Sequence, residues 1–299
     1  MTNCLKFVGV ATLLALTLSG CGGSQASPST NVSPRAADES IHVNEAARNL
    51  LPSEVKSDGT LTVALDPSNA PWEFYDKDNK TIIGFDADIA RQISATLGLK
   101  LQMVPTTFDS LLPSLQAGKF PVAISDVTIK PEREKVVDFI EYKAAGTGLG
   151  VPRGNPLHLK MEPLSLCGVR VGAQTGTVQA LSAVPEIDAA CTAQGKKHVD
   201  LKLFKTQDQA NLALTSGRVD AIIANLVTIS YQASLSNGEY ELAPGDLYQA
   251  ASQGIVTAKA SPLRPALSAA LKSIVEDGHY DKLLTKWSLA PATKPASMQ

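Results

Sequence analysis

The chain has no charge surplus: 27 Lys and Arg stand against 29 Asp and Glu, a net charge of −2 over 299 residues. With no global field of either sign, nucleic acid and anionic membrane surfaces are poor partners. Residues of metal and nucleophilic chemistry are also sparse. His42, His158, His198 and His279 are scattered, and no G-x-S-x-G, H-E-x-x-H or glycine-rich phosphate loop occurs. This removes the usual signatures of hydrolases, zinc proteases and nucleotide binders. No apolar run is long enough for a mature transmembrane helix; Phe7–Leu18 falls short. What remains, 44% hydrophobic and 19% charged, is globular material sufficient for two lobes with separate cores.

The N-terminus reads as an address. Lys6 gives a positive start, Phe7–Leu18 an apolar core, and Ser19 and Gly20 small residues before Cys21. Leu18-Ser19-Gly20-Cys21 resembles the lipobox of bacterial lipoproteins, which implies a signal peptide over 1–20 and lipid on Cys21. From Gly22 to about Ser40 the chain is mostly Ser, Pro, Gly, Asn and Ala, too poor in large apolar groups to order itself, and 21–58 is expected to be a tether with a short leader. Cys4 leaves with the signal. Cys167 and Cys191 remain as a pair, for which a disulfide is the better reading in an oxidising exterior and a metal site the poorer, since no His or Cys stands at ligand spacing.

The stretch Val122–Tyr142 organises the rest. Val122, Ala123 and Ile124 fit a buried parallel strand that stops at Ser125, Asp126 and Thr128, and Pro131 then opens a helical pattern carrying Arg133. Polar groups beyond the carboxyl end of such a strand converge where open α/β sheets bind small ligands. The planar fork of Arg133 matches a carboxylate, making it the leading candidate for a ligand clamp.

Upstream, a helical stretch near Asn44–Leu51 precedes a strand over Gly59–Leu65. A polar hairpin runs through Asp76–Lys80, and Asp86 is expected to cap a helix through Ile89, Ile93 and Leu97 that Gly98 closes. Leu101–Val104 is a strand and Phe108–Ala117 a helix. A second copy follows without a gap: Thr107-x-Asp109 and Gly118-Lys119 align on Thr206-x-Asp208 and Gly217-Arg218, Val122–Ile124 on Ala221–Ile223, and Asp126 on Asn225. Two α/β lobes with a cleft between them are expected, Asp126 on one wall and Asn225 on the other. The Gly-rich run Ala144–Gly150 reads as one crossing strand between lobes and Gln253–Val256 as the return, so the lobes can hinge. Pro262–Trp287 is helical with a break at Asp277-Gly278.

Several motifs then occur in a shared order: Asp66-Pro-x-x-x-Pro-x-Glu73, Gly84-Phe-Asp-x-Asp88, Asp109-x-Leu-x-Pro113, Thr128-x-x-x-x-Arg133, Val171-Gly to Thr177, Gly217-Arg-Val-Asp-Ala221, and Asp277-Gly-x-Tyr through Trp287. Together they resemble the family 3 extracellular solute-binding proteins, the polar amino-acid receptors of ABC transporters. The placement of Cys167 and Cys191 is similar to that of actinobacterial members. The resemblance covers about Gly59 to Leu289. It implies an α/β, two-lobed, periplasmic-binding-protein-like fold of type II, with ligand in the cleft and two crossing strands as hinge. Lobe 1 is expected over 59–147 plus 255–289, lobe 2 over 148–254, and a tail over 290–299.

The same resemblance implies roles. Arg133 clamps the ligand α-carboxylate with Thr128 and with backbone N–H groups near Thr177 and Val178, in the turn that also holds Thr175. Phe108 covers the ligand. Asn69 stands where a second covering aromatic is usual, leaving Trp72 as substitute; Asp66 reaches the distal end, and Ser125 and Asp126 line the wall. Asn225 departs from the family's usual Asp, the ammonium partner, and Asp126 is expected to take that role because a buried cation needs a counter-charge. Asp126 reading a cationic side chain, or a ligand other than an α-amino acid, are the alternatives. The expected partners are an amino acid, permease and ATPase subunits, and the outer face of the cell membrane through lipid, with the protein a monomer needing no cofactor or metal. Competing readings are an enzyme of cyclohexadienyl dehydratase type, with Glu73 or Asp126 as acid, the ligand-sensing partner of a receptor, and a scaffold with a vestigial cleft.

Overall fold

Short β-branched runs alternating with amphipathic helices build a nine-stranded mixed sheet, beside which Ser68–Asn69, Glu73–Tyr75 and Ile82–Ile83 form a small antiparallel sheet. The computed structural model describes residues 41–290 and 293–294. Cys21, the signal stretch and the tether up to residue 40 lie outside the described residues, as does most of the tail. The nine strands of the sheet are β1 Thr60–Leu65, β2 Lys100–Pro105, β3 Val122–Ala123, β4 Val137–Pro152, β5 Arg170–Gln174, β6 Asp200–Phe204, β7 Ala221–Asn225, β8 Tyr240–Leu242 and β9 Tyr248–Ala258. Their order is β2-β1-β3-β9-β4-β7-β5-β6, with β8 paired to β4. β1 runs parallel to β2 and β3, and β5 parallel to β6 and β7, so each end of the sheet is a separate parallel unit.

The two ends have separate cores. In one, Leu61, Val63, Ile89, Ile93, Leu97 and Tyr280 are buried between the sheet and its helices. In the other, Val171, Ile187, Cys191 and Ile223 are. β4 and β9 join them, antiparallel from Val137 paired with Ala258 to Thr147 paired with Tyr248, with irregular register near Tyr248 and near Gln253. These are the two crossing strands expected from the Gly-rich runs. Their small residues let neighbours approach: a Cβ on Gly150 would lie 2.8 Å from Ile222 and one on Gly254 2.7 Å from Phe139.

The Cys167–Cys191 disulfide is formed, tying the loop before β5 to the Val184–Ala193 helix across a separation of 24 residues. The helices over Phe108–Gln116, Gln207–Thr215, Arg264–Glu276 and His279–Lys286 match the sequence pattern, the last two divided at Asp277-Gly278. Two expectations are corrected. Pro131 opens only one turn, Pro131–Glu134, because the chain must re-enter the sheet at Val137. Asp86 does not cap its helix. Gly84 is the cap, and Asp86 stands inside the first turn, fully buried, because three donors described below draw its carboxylate inward.

Candidate functional site

The carboxyl ends of β1, β3, β5 and β7 face one another across the middle of the sheet. About 540 Å³ of empty space, partly continuous with solvent, lies there. Asn69, Phe108, Asp126, Thr128, Thr177, Val178 and Asn225 line it, all singled out by sequence. Asp66, Trp72, Ser125, Arg133 and Thr175 do not line it. They stand behind the wall in this closed arrangement, and the reasons are specific.

Arg133 donates through Nη1 to the Thr128 carbonyl at 2.9 Å and through Nη2 to the Gly176 carbonyl of the opposite lobe at 2.8 Å. Its guanidinium carbon lies 5.8 Å from the Phe108 ring centre. Burial brings its pKa down to about 10, against the pull of Asp126, which leaves it charged at neutral pH. Asp66 accepts from Gln174 Nε2 at 2.6 Å and from the Phe108 backbone N–H at 3.2 Å. Its pKa is raised by burial, with hydrogen bonds opposing. Ser125 Oγ accepts from the Asp66 N–H and donates to Glu73 Oε1, both at 3.0 Å, so it ties β1 to Glu73 rather than facing the cavity. Thr175 hydrogen-bonds the Phe204 carbonyl through its hydroxyl and its N–H. Trp72 is fully buried and reaches across to Thr228 Oγ1 with its indole N–H at 3.0 Å.

Asp126 is the centre of the wall. Its backbone is left-handed, with φ of 47°, held by an N–H to Asp86 Oδ2 at 2.8 Å. Its carboxylate accepts from Asn225 Nδ2 at 3.0 Å and from Asn69 Nδ2 at 3.3 Å. The two positions that the internal repeat makes equivalent therefore meet. The amide at 225 has a plain cause: a carboxylate there would oppose that of Asp126, whereas Asn donates to it while its oxygen caps the Leu226–Leu235 helix through the Val227 N–H at 2.9 Å.

The counter-charge of Asp126 is Lys143, a residue the sequence reading missed. Lys143 lies on β4, fully buried, with Nζ 3.1 Å from Asp126 and 3.1 Å from Asp86. The ammonium also sits 3.3 Å from the centre of a Trp72 ring. A lone Lys among Tyr142, Ala144, Ala145 and Gly146, in a strand otherwise fit for burial, was the available signal. Asp86 also accepts from Tyr142 Oη at 2.6 Å. Glu73 completes the cluster. Burial first and the Asp86 charge second push its pKa well above the ordinary carboxylate range, and no donor reaches its Oε2, as suits a protonated oxygen. Burial also raises the pKa of Asp126, with the Lys143 ammonium opposing.

Further bonds cross the cleft: Thr228 Oγ1 to Asn69 Oδ1 at 2.8 Å, Gln232 Nε2 to the Ala70 carbonyl at 3.1 Å and the Gln207 N–H to Ser68 Oγ at 3.3 Å. Among the described residues no group of His, Cys, Asp and Glu is arranged to hold a metal, and no helix is long and apolar enough to cross a membrane.

Two lobes joined by a paired-strand hinge, closing on a polar cavity with a carboxylate in its wall and a guanidinium behind it, define a binding protein for a small polar solute. The family model for bacterial extracellular solute-binding proteins, family 3, matches residues 61–290, and the chain belongs to that family. The arginine-binding protein ArgT of Corynebacterium glutamicum is 32% identical over 242 residues, 80% of this chain and 78% of its own. A mutant of ArgBP from T. maritima superposes with a TM-score of 0.70 at 31% identity, over 81% of this chain and 99% of its own. The ancestral amino acid-binding protein AncCDT-1, described as a precursor of cyclohexadienyl dehydratase, superposes with a TM-score of 0.69 at 32% identity, over 80% and 99%.

Proposed function

We propose that this protein captures a free amino acid in the interlobe cleft and delivers it to the permease of an ABC importer. The observation that carries the reading is a pair of opposite charges, Asp126 in the cavity wall and Arg133 behind it. The Arg133 guanidinium, beside Thr128 and the turn at Gly176, is set to take an α-carboxylate, and Asp126 to take an α-ammonium. In the closed arrangement Arg133 spends its donors on two backbone carbonyls, and a bound carboxylate would replace them. The binding proteins named above support an amino acid as ligand. The Leu18–Cys21 run supports a lipid anchor at the outer face of the cell membrane, from which a monomer can meet its permease and ATPase partners.

A catalytic reading has one observation in its favour, the likeness to the precursor of a dehydratase. Against it, Glu73 is fully buried behind Ser125 and does not line the cavity, and Asp126, which does, is already held by Lys143, Asn225 and Asn69. We therefore assign binding without turnover.

The test is a thermal-shift panel of amino acids on the full chain, followed by calorimetry on the best hit. Ligand at about one hundred times its Kd should stabilise the protein by about 2.7 kcal/mol. Arg133→Ala should weaken binding by about a hundredfold or more, since a bidentate charge-assisted contact is lost. Unchanged affinity in that variant, or no stabilisation by any amino acid, defeats the reading.

A further inference from the structure

A second set of contacts joins the lobes beside the cavity. In lobe 1, Ser68–Asn69 pairs antiparallel with Glu73–Tyr75, and the turn between them carries Ala70 and Trp72. The Leu226–Leu235 helix of lobe 2 meets this hairpin. Thr228, Tyr231 and Gln232 are spaced i, i+3 and i+4, so they share one face of that helix. Thr228 Oγ1 accepts from the Trp72 indole N–H at 3.0 Å and donates to Asn69 Oδ1 at 2.8 Å, and Gln232 Nε2 donates to the Ala70 carbonyl at 3.1 Å. The Tyr231 ring lies 6.4 Å from that of Phe74, which stands edge-on to Trp287 at 5.8 Å.

A neighbouring helix of lobe 2 extends the contact. Gln232 Oε1 accepts from Asn211 Nδ2, whose Oδ1 accepts from Gln207 Nε2 at 3.0 Å, and the Gln207 N–H reaches Ser68 Oγ at 3.3 Å. Side chains thus run from Ser68 through both helices and back to Ala70. Of these residues only Asn69 and Gln207 line the cavity. Each contact joins protein to protein, so it acts whatever the cavity holds. We propose that Thr228, Tyr231 and Gln232 are positioning residues that form a latch: they hold the lobes together before a solute arrives, and they set affinity without touching the solute. A solute that binds the closed form binds in proportion to the fraction of molecules already closed. The effect on affinity rests on amino-acid capture, whereas the effect on lobe closure does not.

The experiment is small-angle scattering of the full chain without solute, with calorimetry against arginine, histidine and glutamine, on the wild type, Thr228→Val, Gln232→Leu and the double variant. Losing three neutral hydrogen bonds between the lobes moves the ratio of closed to open molecules by about a hundredfold. The double variant should therefore show a larger radius of gyration than the wild type and regain the wild-type radius when saturated with a probe that binds. It should bind that probe about tenfold or more weaker, with a melt near that of the wild type. A wild-type radius in the folded double variant overturns the latch, whatever the affinity does. An expanded radius with unchanged affinity overturns its role in binding. If none of the three probes binds, the radius alone decides the latch, and amino-acid capture fails or stands by its own panel. Should the double variant fail to fold, the same comparison is made on either single variant.

Discussion

Glu73, Asp86, Asp126 and Lys143 place three carboxyl groups around one fully buried ammonium. Three ionised carboxylates there would repel one another without enough counter-charge, so the group with no donor on its second oxygen keeps its proton. For Glu73 the consequence for stability has a definite sign. The unfolded side chain titrates near 4.5 and the folded one well above it. Between the two values the unfolded chain has already released its proton, so raising the pH favours unfolding. The contribution is whole below about 4.5 and is lost as pH climbs through the folded value. Glu73→Gln abolishes the titration and keeps an acceptor for Ser125. Thermal melts at pH 5 and pH 8 should show the wild type losing more stability over that interval than the variant; parallel behaviour would rule out a neutral Glu73.

Among the elements, the loop before β5 and the Val184–Ala193 helix depend on a covalent tie. Closing a segment of 24 residues is worth about 3 kcal/mol in the chain-entropy model. The double variant Cys167→Ser/Cys191→Ser should therefore melt at a lower temperature by about that equivalent. Because neither Cys touches the cavity, its ligand affinity should stay within about twofold of wild type, and a large loss of affinity with an unchanged melt would contradict this placement.

At the scale of the whole molecule, function requires the lobes to close. Gly176 has φ of 84°, and a Cβ there would lie 2.9 Å from Asp109 Cα across the cleft. Gly176→Ala strains both its own backbone and the closed approach, while touching neither core. Its expected effect is ligand affinity lower by about tenfold or more with little change in the melt of the unliganded protein, read by calorimetry and thermal unfolding. Equal affinity would mean that the lobes need not approach as closely as they do here.

Local chemistry reported much of this in advance. The alternation of apolar runs with helical spacing, the glycines of the crossing strands and the ungapped repeat all act over a few residues, and they determined the α/β type, the two-lobed plan and the polar wall at 126 and 225. The burial of Asp86, the position of Arg133 behind the wall and the reach of Trp72 to Thr228 belong to pairs 40 to 156 residues apart. Lys143 shows the limit most clearly. Its residue type was legible, but a buried ammonium is tolerable only where carboxylates from other segments converge, and that convergence is set by how β1, β3 and β4 lie together, which tertiary packing alone decided.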